Sequence, residues 1–164
     1  WKAFNELKTL GWLAGDHLPR MVAVQSDGCC PIVRAFGQGE RFAEPFADPA
    51  TIATGLRVPA AVGDFMILDA VRESGGTAVA ADERRIDEWM RTAAALTGVA
   101  VCPEAACCVG ALEVLSERKW LSPDDRVVIF NTGAAQKYVE ALTTDLPQLD
   151  KAQVDWAIIG TVRS

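Results

Sequence analysis

Residues 77–119 read TAVAADERRIDEWMRTAAALTGVAVCPEAACCVGALEVLSERK, and two hydrophobic periods alternate along them. Thr77–Ala81 is a short, nearly all-apolar run of the kind that forms a strand buried on both faces. Asp82 stands where a helix N-cap belongs, and the spacing predicts a helix over 83–97 that stops before Gly98. Val99–Cys102 is a second apolar run and predicts another strand. Pro103 then occupies the first position of a helix reaching about Lys119, with Glu104 placed to complement the positive helix end. Strand, helix, strand, helix with short links implies right-handed crossovers and a parallel sheet. The fold class is therefore α/β: an open, mostly parallel sheet with helices on both faces.

The flanks extend this pattern. Upstream, residues 1–12 set Trp1, Phe4, Leu7 and Leu10 at helical spacing, and Met21–Gln25 reads as a buried strand. Residues 31–60 carry Pro31, Pro45, Pro49 and Pro59, which predicts an irregular excursion with helical turns near 31–36 and 48–54. Residues 62–73 fit an amphipathic helix stopped by Gly75-Gly76. Downstream, Ser122-Pro-Asp-Asp is a turn, Arg126–Asn131 a fourth strand, and a last helix starts near Ala134. Val154–Ile159 forms one more short strand or helix.

Composition narrows the function classes. The 164 residues are 50% hydrophobic and 23% charged, which is a globular balance. A net charge of −6 repels phosphate backbones, so nucleic-acid binding is disfavoured. No apolar run approaches the roughly 18 residues that span a bilayer, so no membrane partner is expected. The five cysteines (29, 30, 102, 107 and 108) form no CxxC, and with His17 as the one histidine no four-ligand metal pattern exists. They read as buried, reduced thiols of a cytoplasmic protein.

In an open parallel sheet, ligands bind beyond the carboxyl ends of the strands. Three such ends carry polar residues or helix starts: Gln25-Ser-Asp-Gly28, Cys102-Pro-Glu104-Ala and Asn131-Thr132-Gly133. On pattern alone these are ordinary strand-to-helix turns. His17, in Gly-Asp-His-Leu-Pro, reads as a solvated loop residue, and Glu83-Arg-Arg-Ile-Asp-Glu as a solvated helical turn. No nucleotide loop or nucleophile elbow is present.

Several longer stretches, however, carry a resemblance. Val101-Cys-Pro-Glu-Ala-Ala-Cys-Cys-Val-Gly-Ala-Leu112, then Asp125-Arg-Val-Val-Ile-Phe-Asn-Thr-Gly133 and Lys137, resemble the carboxyl half of the threonine synthase family. Trp1–Leu7, Pro19–Gln25 with Gly28 and Pro31-Ile32, and Arg72–Ala80 follow the family's order. These are pyridoxal-phosphate enzymes of fold type II, the tryptophan-synthase-β type. The resemblance covers residues 1–142, the later part of the cofactor-binding large domain, and leaves 143–164 as a tail that it does not reach.

That resemblance implies roles. The hydroxyl of Thr132 would bond the pyridine nitrogen of pyridoxal 5'-phosphate, a neutral donor that makes the ring a milder electron sink than a charged partner would. A helix N-cap role for Thr132 is compatible with this. Gly133 would let the backbone pass close to the ring, and Glu104 would line the same pocket. The loop Ala53-Thr-Gly55-Leu-Arg57 resembles a segment that approaches the cofactor.

The departures are equally informative. The family's Schiff-base lysine lies far upstream in a Ser-Phe-Lys context that is not in these residues. Lysines 2, 8, 119, 137 and 151 lack that context, so no catalytic residue is assigned. The glycine-rich phosphate loop falls, by the resemblance, just before Trp1. The implied whole enzyme converts O-phosphohomoserine and water to threonine and phosphate, and this portion alone is expected to be inactive. A small amino-acid substrate and self-association through an exposed half-domain surface follow as partner expectations. The alternatives are another fold type II lyase or dehydratase, and a non-enzymatic module that binds a small ligand or a partner.

Overall fold

The computed structural model describes residues 1–141 and 150–154. Two strands, β1 (Val22–Ser26) and β2 (Thr77–Ala81), pair in parallel, with Val22 opposite Thr77 and Ser26 opposite Ala81. Helices α2 (Pro31–Gln38) and α3 (Asp64–Glu73) lie in the crossover between them. After β2 come α4 (Ile86–Thr97) and α5 (Pro103–Glu117), and α1 (Lys2–Thr9) precedes β1.

Alternation along the strands assigns the two faces. Val22, Val24 and Val79 pack with Ala111 and Leu115 of α5. Ala23, between the two valines, packs with Ile32, Ala35 and Leu68 of α2 and α3. Helices thus cover both faces, as the alternating sequence predicts. Each large apolar side chain fully buried here contributes about 1.5–3 kcal/mol.

Helix α5 is the central support. It buries Ala105, Ala106, Cys107, Gly110, Ala111 and Leu115, because the sheet lies on one side and α4 on the other. Gly110 permits that double contact. A β-carbon there would stand 2.4 Å from Cη2 of the buried Trp89, so the ring of α4 rests directly on the α5 backbone.

Helix starts follow the sequence signals with one refinement. Asp82 accepts the Arg84 N–H at 3.0 Å, but the turn that it caps, Glu83–Arg85, is a 3-10 turn leading into α4. Gly98 closes α4 with φ 73°. Proline opens both α2 and α5. The first turn of α2 is capped from the sheet: Oε1 of Gln25 accepts the N–H groups of Ile32 at 2.9 Å and Val33 at 3.2 Å.

The carboxyl ends of the strands are tied to the loop before the second helical excursion. Ser26 is fully buried and donates to the Glu83 carboxylate, whose other oxygen accepts the Ile52 N–H at 2.6 Å. Asp27 in turn accepts the Glu83 N–H at 3.0 Å. These bonds fix residues 51–56 over the sheet end, where a 3-10 turn, Thr54–Leu56, replaces the turn predicted at 48–54.

Two predicted strands are absent. Val99–Cys102 forms a single antiparallel bridge, Val101 to Ala134, and no strand. Arg126–Asn131 has strand composition, yet no neighbouring chain among the described residues offers it a ladder, and Val127, Val128 and Phe130 are exposed. A strand is held by its partner as much as by its own side chains. The described sheet is therefore two-stranded. In place of the helix predicted from Ala134 there are two 3-10 turns, Ala135–Lys137 and Val139–Ala141. Helix α1 ends at Thr9, leaving Leu10 and Trp12 exposed. The element predicted at Val154–Ile159 lies outside the described residues beyond Val154.

Candidate functional site

The amino end of α5 gathers four segments. Cys102 precedes the helix in an extended conformation, Pro103 opens it, and Glu104 follows in the first turn. Oε1 of Glu104 accepts the N–H of Gly55 at 2.8 Å and the hydroxyl of Tyr138 at 3.0 Å. Oε2 is buried and has no hydrogen-bond partner among the described residues. One carboxylate thus joins the 51–56 loop, α5 and the turn after Gly133.

Glycine at position 55 leaves room for the Glu104 carboxylate. A β-carbon there would lie 2.9 Å from Oε1 of Glu104, inside normal contact. Gly133 is similarly placed: its absent β-carbon would meet Cβ of Cys102 at 3.3 Å. The Cys102 thiol donates a long, weak bond of 3.8 Å to Oδ1 of Asn131. The Ala135 N–H bonds the Ala100 carbonyl at 3.1 Å, which clamps the Asn131–Gly133 turn beside α5.

Charge at this site is set by two opposed effects. Burial pushes the Glu104 carboxyl up. Donors around it, the Gly55 N–H and the Tyr138 hydroxyl among them, outweigh burial and hold it below the ordinary glutamate value. The carboxyl is therefore ionised at neutral pH. Tyr138, donating to that carboxylate, is pushed above the ordinary phenol value. Burial drives the Cys107 thiol up to about 12, and the charges of Glu83, Glu104 and Asp27 add to the same effect.

Gly133 thus lies against Cys102, two residues before Glu104. Thr132 sits between Asn131 and Gly133 on the exposed side of the turn. It does not cap a helix, because the 3-10 turn beginning at Ala135 has Ala134 in the cap position. The Gln25–Gly28 segment serves the packing of β1, through the Ser26 and Gln25 bonds given above. Tyr138 was not legible in the motifs, although it directly follows Lys137 and is the chain's single tyrosine. Cys29, Cys30, Cys102 and Cys107 are buried free thiols, and Cys108 is half-buried. His17 is exposed. Lys2 and Lys8 pair with Glu6 and Asp16 at the surface. Among the described residues no group of three metal-binding side chains converges, and no helix is long and apolar enough to cross a membrane.

Comparison with known proteins decides which family this architecture serves. The family described as pyridoxal-phosphate dependent enzyme matches residues 1–133, from α1 through the Asn131–Gly133 turn. The chain belongs to this pyridoxal-phosphate family. Threonine synthase of Methanocaldococcus jannaschii is 33% identical over 162 residues, covering 99% of this chain and 40% of the relative. Threonine synthase of Methanosarcina acetivorans is 37% identical over 133 residues, or 81% of this chain and 32% of the relative. The chain therefore spans a third to two-fifths of the length of these curated relatives. The structure of maize serine racemase superposes with a TM-score of 0.50 at 22% identity, over 63% of this chain and 30% of that one, a likeness of fold.

Proposed function

We propose that residues 1–142 are the carboxyl-terminal part of the cofactor-binding domain of a threonine synthase, with 143–164 as a separate tail. In this reading Thr132, Gly133 and Glu104 hold the pyridine end of pyridoxal 5'-phosphate. The observation that carries it is the buried, unpartnered Oε2 of an ionised Glu104 beside the Asn131–Gly133 turn. A buried carboxylate oxygen without a donor is costly, and a polar group brought against it offsets that cost.

The residues present fit the group. The Thr132 hydroxyl is an exposed donor, suited to an unprotonated ring nitrogen. Gly133 and Gly55 keep β-carbons out of the space around Cys102 and Glu104. The cofactor, when bound, supplies an electron sink for negative charge developing on a substrate carbon. This chain's part is to bind and orient: Thr132 sets the electronics of the ring through one neutral bond, and Glu104 contributes fixed negative charge at the α5 end. The lysine that the chemistry requires is supplied by another part of the enzyme.

The proposed reaction converts O-phosphohomoserine and water to threonine and phosphate in the cytoplasm. The chain's 33% identity to the Methanocaldococcus jannaschii enzyme across nearly its whole length supports this substrate class. Self-association through an exposed half-domain surface accompanies it. A chimera tests the reading: residues 1–142 replace the matching segment of the Methanocaldococcus jannaschii enzyme, which brings its own lysine. Phosphate release from O-phosphohomoserine, reduced by Thr132→Ala, supports the assignment. A folded, cofactor-loaded chimera that releases none, or that acts only on other amino acids, contradicts it.

A further inference from the structure

We infer that Tyr138 is a positioning residue: its hydroxyl holds the Glu104 carboxylate by Oε1 and thereby fixes the position and charge of that carboxylate at the amino end of α5. The inference rests on the proposed cofactor site and adds a residue to it.

A glutamate side chain at a helix start rotates freely unless something pins it. Here two donors from distant segments converge on one oxygen, the Gly55 N–H at 2.8 Å and the Tyr138 hydroxyl at 3.0 Å. Oε1 is thereby engaged by the protein, whereas Oε2 is buried and unpartnered. The two donors differ in kind: Gly55 fixes the position of Oε1 from a backbone, and Tyr138 can retreat with its side chain. Tyr138 is also the link between Glu104 and the Asn131–Gly133 turn, since its ring lies 4.0 Å from the site a Gly133 β-carbon would take. The depressed ionisation of Glu104 and the raised ionisation of Tyr138 are the electrostatic signature of the same contact.

The chain has a single tyrosine, so biosynthetic 3-fluorotyrosine labels position 138 alone. The experiment follows the Glu104 carboxyl by carbon NMR against pH in the whole chain with tyrosine, with fluorotyrosine and with Tyr138→Phe. The fluorinated phenol is the stronger donor and is predicted to lower the Glu104 pKa further, while Tyr138→Phe raises it. The same value in all three samples overturns the inference. The fluorinated sample keeps the test decisive even if Tyr138→Phe does not fold. Pyridoxal phosphate affinity is measured in parallel, and Tyr138→Phe and Glu104→Gln are each predicted to weaken it about 2- to 10-fold. The double variant is predicted to be no weaker than either single one. If the titration moves but Glu104→Gln leaves affinity unchanged, Tyr138 keeps its hold on Glu104 and the cofactor assignment of Glu104 falls.

Discussion

The N–H of Gly55 reaches Oε1 of Glu104 at 2.8 Å across 49 residues of sequence, and a β-carbon at position 55 would lie within 2.9 Å of that oxygen. The obstructing atom is the end of a flexible side chain, not backbone. Gly55→Ala is therefore predicted to leave thermal stability within about 1 kcal/mol of the parent while displacing the carboxylate. A raised Glu104 pKa with a small change in melting temperature is the expected result, read by carbon NMR and calorimetry.

The Gly110–Trp89 contact predicts the opposite balance. The wide face of a buried ring rests against the α5 backbone, and a methyl group at position 110 would lie 2.4 Å from it. Gly110→Ala is predicted to destabilise by about 1–3 kcal/mol through overpacking. Urea unfolding followed by tryptophan fluorescence checks this: the midpoint falls and the slope is unchanged. Trp89→Leu in the same chain restores part of the loss, because the two changes act at one contact.

How much of this was legible beforehand differs by element. Proline at 31 and 103, Asp82 as a cap and Gly98 as a stop are local signals, and each sits where its backbone chemistry requires. The segments 99–102 and 126–131 form no strands because an apolar run reports a chain's fitness for a ladder, not the presence of a neighbour. At the site, Glu104 and Gly133 carried family motifs. Tyr138 carried none, since its role arises from a 34-residue closure that no local pattern records.

Acid dependence follows from Glu104. Its folded-state pKa is depressed, so its ionised form stabilises the fold above the ordinary glutamate value, and that contribution is lost as pH falls through the folded value. The parent chain is predicted to lose melting temperature below about pH 4.3 more steeply than Glu104→Gln, which lacks the titration. Parallel curves for the two proteins would remove Glu104 from the acid response.

The buried thiols supply a kinetic prediction. Burial holds Cys107 protonated up to about pH 12 and pushes Cys108 in the same direction, so neither is a nucleophile at pH 8. Iodoacetamide at that pH is predicted to leave both unmodified in the native chain and to label both in denaturant, as read by peptide mass spectrometry.

The central claim is that the amino end of α5 and the Asn131–Gly133 turn together hold the pyridine end of the cofactor. Amide NMR of the 164-residue chain titrated with pyridoxal phosphate tests it most directly, with inorganic phosphate as the control. The account predicts saturable shifts at Gly55, Glu104, Thr132 and Gly133, absent with phosphate alone, weakened by Thr132→Ala, and without a borohydride-stable adduct on any of the five lysines. Shifts confined to other residues, or an adduct on one lysine with those four amides unmoved, would contradict it.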